Sequence, residues 1–265
     1  MTNRPTVSVH LLPSQIPPGA LQGGVAVVVD VLRATTTMVH ALAAGCLAVI
    51  PCLEIEDARR IAASQPPGST LLAGERQGLP IEGFDLSNSP ADFTAEACAG
   101  KTLVFTTTNG TRALLACQEA ERVVVASFVN LSATARLLRE DGRPVHIVCS
   151  GTDGFISFED SLLAGALAEE LWNKFDLGGN DAAMLTLTSW CDIDSHDDDD
   201  HGGEDVLLNY LTRGRGGRRL RGLGLSGDIS DAAAVNRFDL AAELLRDPLR
   251  VVLSPTTGES ARKLG

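Results

Sequence analysis

Residues 25–52, "VAVVVDVLRATTTMVHALAAGCLAVIPC", decide the fold class, because two apolar runs flank a helical pattern. The runs at 25–30 and 47–52 predict buried strands. The segment 35–44 between them predicts a helix, which Gly45 is expected to end. A strand, a helix and a second strand of these lengths are typical of a β-α-β unit in a parallel sheet.

The same alternation continues downstream and predicts one integrated α/β domain over residues 1–265. After Gly151 the pattern changes to a long helix at 157–175, further helical segments and few strands. We therefore expect layered α/β/α architecture around a largely parallel or mixed sheet, with a helical C-terminal part. The other predicted strands are 70–73, 102–106, 122–126 and 144–149, and the other predicted helices are 54–64, 90–98, 110–118 and 131–140.

Charge and composition narrow the class of protein. The formal net charge is −12, and eight of the acidic residues lie between Asp192 and Asp205, a run that predicts a mobile acidic loop at 192–205. Negative charge repels phosphate backbones, which argues against a nucleic-acid partner. No apolar run reaches the roughly 18 residues that span a bilayer, so no membrane partner is expected. Six cysteines without a C-x-x-C pair favour reduced thiols and a cytoplasmic enzyme or binding protein.

Four clusters of polar residues follow predicted strands. The carboxyl ends of parallel strands line the ligand crevice of an α/β sheet, and helix N-termini there present N–H groups to anions. We therefore expect the four clusters to meet at one rim of the sheet. They are residues 30–37, 74–90, 106–112 and 149–160.

The residue types in these clusters suit phosphoryl chemistry. Carboxylates are ligands for Mg²⁺, arginines bind oxyanions, and loops of Gly and hydroxyl residues cradle phosphate with backbone N–H groups. Positioning and charge neutralisation supply most of the catalysis of phosphoryl transfer. Other interpretations compete: Asp30 could be only a helix cap, and Leu32 removes the second carboxylate of an aspartyl-phosphate D-x-D-x-T motif. Residues 213–221, rich in Arg and Gly, could reach an anionic substrate but favour a flexible exposed connection.

Taken in order and spacing, four segments resemble the 2-phosphosulfolactate phosphatase family, Mg²⁺-dependent acid phosphatases of coenzyme M biosynthesis. A weaker similarity follows near 224–239. The similarity covers about residues 7–175, and no single segment would suffice for it. The four segments are "DVLRATTTM" (30–38), "GERQGLPIEGFDLSNSP" (74–90), "TTTNGTRAL" (106–114) and "CSGTDGFISFEDSLLAG" (149–165).

The resemblance implies an α/β phosphatase that uses Mg²⁺ to hydrolyse the phosphate ester of a small 2-hydroxy acid. The implied substrate is 2-phosphosulfolactate, which gives 3-sulfolactate and phosphate, or a close analogue. Within the matching motifs we assign roles by residue chemistry. The predicted catalytic residues are Asp30, Arg33, Glu75 and Arg76. The predicted metal ligands are Asp30, Glu75, Glu159 and Asp160. The predicted substrate-binding residues are Asn88, Thr108, Asn109, Gly110, Thr111, Ser150 and Gly151.

Several alternatives stay open at this level. Attack on phosphorus by a metal-activated water and attack by a carboxylate to give a phospho-enzyme are both compatible with the residues. A non-catalytic binder of small phosphorylated or sulfonated acids would keep the same pocket. An interaction role for the acidic run is a third hypothesis, and a homo-oligomer is compatible with all three.

Overall fold

The computed structural model describes residues 4–194 and 203–255, in which ten strands form one mixed sheet in the order β1-β8-β2-β7-β9-β10-β3-β6-β4-β5. Helices cover both faces, which confirms the layered α/β architecture. The strands are β1 (Val7–His10), β2 (Val25–Val29), β3 (Ala48–Cys52), β4 (Thr70–Arg76), β5 (Leu79–Pro80), β6 (Thr102–Thr106), β7 (Arg122–Ala126), β8 (Val145–Cys149), β9 (Ala242–Arg246) and β10 (Leu249–Leu253).

The helices follow the sequence pattern over most of the chain. The predicted helix 131–140 is found with nearly the same ends, and Gly142 adopts φ 73° as the left-handed residue that ends it. The helices are α1 (Ala34–Ala43), α2 (Ile55–Ala63), α3 (Ala95–Cys98), α4 (Gly110–Ala116), α5 (Leu131–Asp141), α6 (Phe158–Leu171), α7 (Asp181–Asp194), α8 (Gly203–Arg213), α9 (Arg215–Gly222) and α10 (Ser226–Ala233).

Strand β2 lies between two hydrophobic cores, one on each face of the sheet. Val25, Val27 and Val29 pack into the first core, while Ala26 and Val28 pack into the second. Successive side chains of a strand point to opposite faces, so an unbroken apolar run is what a strand buried on both sides requires. This packing fixes the end of β2, where Asp30 stands.

The sheet consists of two parallel blocks joined by an antiparallel hairpin. The first block contains β1, β8, β2 and β7, and the second contains β3, β6 and β4. Strands β9 and β10 lie between the blocks and pair antiparallel with each other, with β7 and with β3. Three antiparallel pairings in succession make the two blocks run in opposite directions. The expectation of a single rim of parallel strand ends is therefore wrong.

The central hairpin lies after Gly151, where the sequence predicts few strands, and none of the individually predicted strands corresponds to β9 or β10. Its β9 strand carries Glu243 in the middle of an apolar pattern, so the pattern does not predict a buried strand. Glu243 is 8% exposed, and its Oε2 accepts from Arg122 Nε at 2.6 Å. Arg122 Nη2 also donates to Ser254 Oγ at 2.8 Å. This buried ion pair allows a charged residue to occupy the interior of the sheet.

The helices correct two further expectations and extend into a third segment, the acidic loop at 192–205, whose mobility stays a prediction. The predicted helix 90–98 is a 3-10 turn at Pro90–Asp92 followed by the short α3. Helices α7 and α8 occupy both ends of the predicted acidic loop, whose residues 195–202 lie outside the described residues. The Arg- and Gly-rich segment forms α9 rather than a flexible connection. Within the described ranges, no helix combines the length and apolarity needed to cross a membrane.

Candidate active site

One pocket gathers residues from all four polar clusters and from α9. It encloses about 480 Å³ of space, part of it open to solvent. The loops after β2, β4, β6 and β8 meet there although the two blocks of the sheet run in opposite directions. The lining residues are Asp30, Leu32, Arg33, Ala34, Glu75, Gly78, Asn88, Thr107, Thr108, Asn109, Thr152, Gly216, Arg219 and Leu220.

Asp30 follows β2 and is 7% exposed. Burial raises the pKa of its carboxyl to about 6, and the charge of Glu75 acts in the same direction. The Ala34 N–H, which donates to Asp30 Oδ1 at 3.2 Å, opposes this shift, as do the Ser150 hydroxyl and the charge of Arg33. Asp30 therefore presents a buried carboxyl group to the pocket at the N-terminus of α1.

Asp160 connects the loop after β2 with the loop after β8. Its Oδ1 accepts from Val31 N at 2.9 Å, and its Oδ2 accepts from Gly151 N at 3.1 Å and from Ser150 Oγ at 3.2 Å. Burial raises the pKa of Asp160 well above its usual value, and the charge of Asp30 adds to the shift. Because both oxygens of Asp160 accept hydrogen bonds, this residue positions the two loops.

Arg33 is held in place by a residue far along the chain. Its Nη1 donates to Asp228 Oδ2 at 2.6 Å, and its Nη2 donates to Gly78 O at 3.1 Å. Asp228 Oδ1 in turn accepts from Ser89 Oγ at 2.5 Å. The side chains of Arg33 and Asp228 are each 4% exposed. The guanidinium group is therefore fixed at the pocket wall before any ligand binds.

Glu75, near the end of β4, organises two segments that line the pocket. Its Oε1 accepts from the backbone N and the Oγ1 of Thr108, each at 2.8 Å. Its Oε2 accepts from Gly78 N at 2.6 Å. These hydrogen bonds set the position of the loop after β6 relative to the turn after β4.

Gly110 begins α4 directly beside the loop after β2. A Cβ at this position would lie 2.5 Å from Ala34 Cβ and 2.9 Å from Asp30 Oδ2. Only glycine allows the starts of α1 and α4 to approach this closely. At the same place, Thr111 N donates to Thr107 Oγ1 at 3.3 Å, and Asn109 occupies the N-cap position of α4.

Two buried polar atoms in this region lack hydrogen-bond partners among the described residues: Asn88 Oδ1 and Glu159 Oε2. Asn88 lines the pocket and is 3% exposed. Glu159 is 1% exposed and lies against the start of α9, where a Cβ at Gly216 would be 2.1 Å from its Oε1. Burial raises the pKa of Glu159 to about 7, and the charge of Asp30 adds to this shift.

The pocket contains six of the site residues predicted from the sequence. They are Asp30, Arg33, Glu75, Asn88, Thr108 and Asn109. The other predicted residues of the site that lie nearby are not among the lining residues: Gly110, Thr111, Ser150, Gly151, Glu159 and Asp160. Arg76 is not among the lining residues: its Nη1 donates to Glu75 O, and its Nη2 donates to Leu53 O and Thr106 Oγ1.

Sequence reasoning missed Asp228, and it considered Arg219 as a contact of an anionic substrate but favoured a flexible connection. Asp228 lies in the segment with the weaker family similarity, and that similarity was the signal that could have found it. Arg219 lies in the Arg- and Gly-rich segment, where composition favours a loop. A charged residue on the pocket side of a helix becomes visible only when the helix is recognised.

The four carboxylates predicted to bind Mg²⁺ differ in how well they fit the ion. Among residues 4–194 and 203–255, no group of three or more His, Cys, Asp or Glu side chains is arranged to hold a metal ion. Mg²⁺ is commonly held by one or two carboxylates together with water and substrate phosphate oxygens. Asp30, which lines the pocket, and Glu159, with its unpartnered Oε2, fit such a two-carboxylate arrangement. Glu75 and Asp160 fit it less well, because backbone N–H groups occupy their oxygens.

Comparison with known proteins identifies the family of the chain. Residues 10–246 match the model of the 2-phosphosulpholactate phosphatase family. A probable 2-phosphosulfolactate phosphatase of Caldanaerobacter subterraneus subsp. tengcongensis is 39% identical over 218 residues, which cover 82% of this chain and 86% of the relative. Proteins with the same description from Clostridium perfringens (33% over 237 residues, 89% of this chain and 92% of the relative) and a Synechococcus strain (36% over 231 residues, 86% and 89%) are also similar. The chain therefore belongs to the 2-phosphosulfolactate phosphatase family.

Proposed function

We propose that the protein is a Mg²⁺-dependent phosphatase that hydrolyses the phosphate ester of a small 2-hydroxy acid. The proposed substrate is 2-phosphosulfolactate, which gives 3-sulfolactate and phosphate, or a close analogue. One observation carries the proposal: a buried carboxyl group, Asp30, and a fixed guanidinium group, Arg33, line the same pocket. The family membership and the descriptions of the relatives support the choice of substrate.

The chain supplies a preorganised site for the phosphoryl group. Arg33 is fixed by Asp228, so its remaining N–H groups bind phosphate oxygens without a further ordering cost. Asn88 Oδ1 has no hydrogen-bond partner among the described residues, so the side-chain amide is free to turn its Nδ2 donors toward a phosphate oxygen. Glu75 holds Thr108 and the adjoining Asn109 at the pocket, where they contact the same group.

Asp30 and Glu159 are the residues proposed to hold Mg²⁺. When bound, the ion would offset the negative charge that builds up on the phosphoryl oxygens. Burial raises the pKa of Asp160, and repulsion by Asp30 and Glu159 adds to the shift. This repulsion favours a cation in the vicinity of the three carboxyl groups. Arg76 is not part of the proposed site, because its guanidinium group is engaged elsewhere.

The experiment is a phosphate-release assay with purified protein. 2-Phosphosulfolactate and other 2-phospho-hydroxy acids are compared with glycerol 2-phosphate, an ester that has no second acidic group. We expect release from the acids, loss of release with a chelator, and recovery when Mg²⁺ is added. Calorimetry with the same acids is run in parallel. Binding without any release would contradict the proposal and establish the non-catalytic binder.

A further inference from the structure

Two of the pocket-lining residues are arginines, and their surroundings differ. Arg33 is 4% exposed at its side chain and is paired with the equally buried Asp228. The side chain of Arg219 is 34% exposed, and its acidic contact is Asp153 Oδ2, 3.4 Å from Nη1. Asp153 is itself 41% exposed and also contacts Arg215 at 3.2 Å. A long, exposed contact of this kind contributes little energy, so the charge of Arg219 is available to a ligand.

The position of Arg219 depends on close packing of α9. A Cβ at Gly216 would lie 2.1 Å from Glu159 Oε1, and a Cβ at Gly217 would lie 2.0 Å from Leu211 O. The two glycines therefore allow α9 to lie directly against α6 and α8. This packing brings Arg219 and Leu220 to the pocket wall.

The residues proposed above to bind the phosphoryl group leave the other acidic group of the substrate without a partner. A phosphorylated 2-hydroxy acid carries the phosphoryl group and at least one other acidic group, a carboxylate or a sulfonate. Arg33, Asn88 and Asn109 are assigned to the phosphoryl group. Arg219 is the other cation that lines the pocket in the described part of the chain.

We propose that Arg219 binds the acidic group of the substrate other than the phosphate and thereby determines specificity. This inference rests on the function proposed above. A guanidinium group offers paired N–H donors that match the oxygens of a carboxylate or sulfonate. The acidic group of the substrate takes the place of Asp153, which returns to solvent on binding.

The test measures binding of 3-sulfolactate, which lacks phosphate, and of inorganic phosphate by calorimetry. Wild-type protein is compared with Arg219→Ala, Arg219→Lys and a matched control, Arg221→Ala, on the exposed side of the same helix. We expect R219A to weaken 3-sulfolactate binding about tenfold or more, because a charge-assisted hydrogen-bond pair is lost. The affinity of R219A for phosphate should stay within about twofold of wild type, because phosphate does not use the lost contact. The affinity of R221A for 3-sulfolactate should also stay within about twofold, because Arg221 does not contact the ligand. R219K should fall in between, since lysine keeps the charge but not the paired geometry.

Lactate, which keeps the carboxylate but lacks the sulfonate, identifies the group concerned. A loss of affinity in R219A for both acids assigns the carboxylate, and a loss for 3-sulfolactate alone assigns the sulfonate. The inference is overturned if wild-type protein does not bind 3-sulfolactate or if R219A binds it as well as wild type. It is also overturned if the affinity of R219A for phosphate falls as much as its affinity for 3-sulfolactate. A wild-type protein that releases no phosphate defeats the proposed function, while the calorimetry still decides the role of Arg219.

Discussion

Arg33 and Asp228 lie 195 positions apart in the chain, yet their side chains meet at 2.6 Å in an environment almost closed to solvent. Removing one partner of such a pair leaves a buried charge without compensation. We expect Asp228→Asn to lower the free energy of unfolding by about 3 kcal/mol and to lower kcat/KM, because Arg33 loses its orientation. Urea unfolding and the phosphate-release assay measure the two effects.

A double variant separates stability from function in the same pair. Replacing both charges by apolar residues, in Arg33→Met with Asp228→Leu, should restore most of the lost stability but none of the activity. As a control, Asp57→Asn breaks the exposed pair with Arg60 and should change stability by about 0.5 kcal/mol or less. Wild-type stability in the Asp228→Asn variant would contradict the importance assigned to the pair.

The close approach at Gly110 predicts a second effect. In Gly110→Ala the new methyl group meets Ala34 Cβ and Asp30 Oδ2, so the starts of α1 and α4 must separate. We expect a loss of about 1–3 kcal/mol in stability from overpacking and a fall in kcat. Gly222→Ala is the matched control, because no atom lies within 4 Å of the added Cβ. Equal behaviour of the two variants in melting temperature and turnover would rule out a special role for Gly110.

Neighbouring acids on α6 should respond differently to neutralisation. Glu159→Gln removes a buried carboxylate whose Oε2 has no partner among the described residues, so stability should be kept while the half-saturating Mg²⁺ concentration rises about tenfold or more. Asp160→Asn places an amide against the N–H groups of Val31 or Gly151, which should cost about 1–3 kcal/mol of stability. Magnesium titrations of the turnover rate and urea unfolding distinguish the two. An unchanged Mg²⁺ requirement in Glu159→Gln would remove Glu159 from the proposed ligands.

His40 predicts a pH dependence of stability that is separate from catalysis. It lies on α1 with its ring against Phe238 at 4.9 Å between centroids. Burial, with a smaller contribution from the charge of Arg237, lowers its pKa from 6.5 to about 4 against the opposing charge of Asp231. Below pH 6.5 His40 is protonated in the unfolded chain, whereas in the folded protein it stays neutral down to about pH 4. Stability is therefore lost as the pH falls through this window.

The variant His40→Leu removes this proton uptake and should show a flatter stability profile. Between pH 6.5 and pH 4.5 we expect wild type to lose about 2 kcal/mol more than the variant. Urea midpoints measured across that range give the comparison. Parallel curves for the two proteins would show that His40 does not contribute.

The elements predicted well are those whose local pattern and burial agree. The apolar run of β2 is buried on both faces, and α5 ends within one residue of the predicted boundary, before Gly142. The elements predicted poorly depend on distant partners. Strand β9 is interrupted by Glu243, which is tolerated in the sheet because Arg122 pairs with it from β7.

The residues of the candidate site also divide into those that a local pattern predicts and those that depend on distant partners. Strand ends pointed to Asp30 and Glu75, because parallel strands place polar residues at their carboxyl ends. Arg76 has the chemistry of an anion clamp, but its neighbours Leu53 and Thr106 accept its N–H groups. The hydrogen-bond partners of an arginine depend on tertiary packing. The residues near it in the sequence therefore do not predict them.

The placement of the β9–β10 hairpin has a consequence for biosynthesis. The hairpin joins the two parallel blocks, but in the chain it follows every other strand of the sheet. A nascent chain that stops before residue 242 therefore leaves β7 and β3 with open edges, which are sites for pairing with other chains. The two halves of the pocket come from opposite sides of this junction. We therefore expect the two blocks to join into one sheet, with both halves of the pocket in place, only after residue 253 has been synthesised.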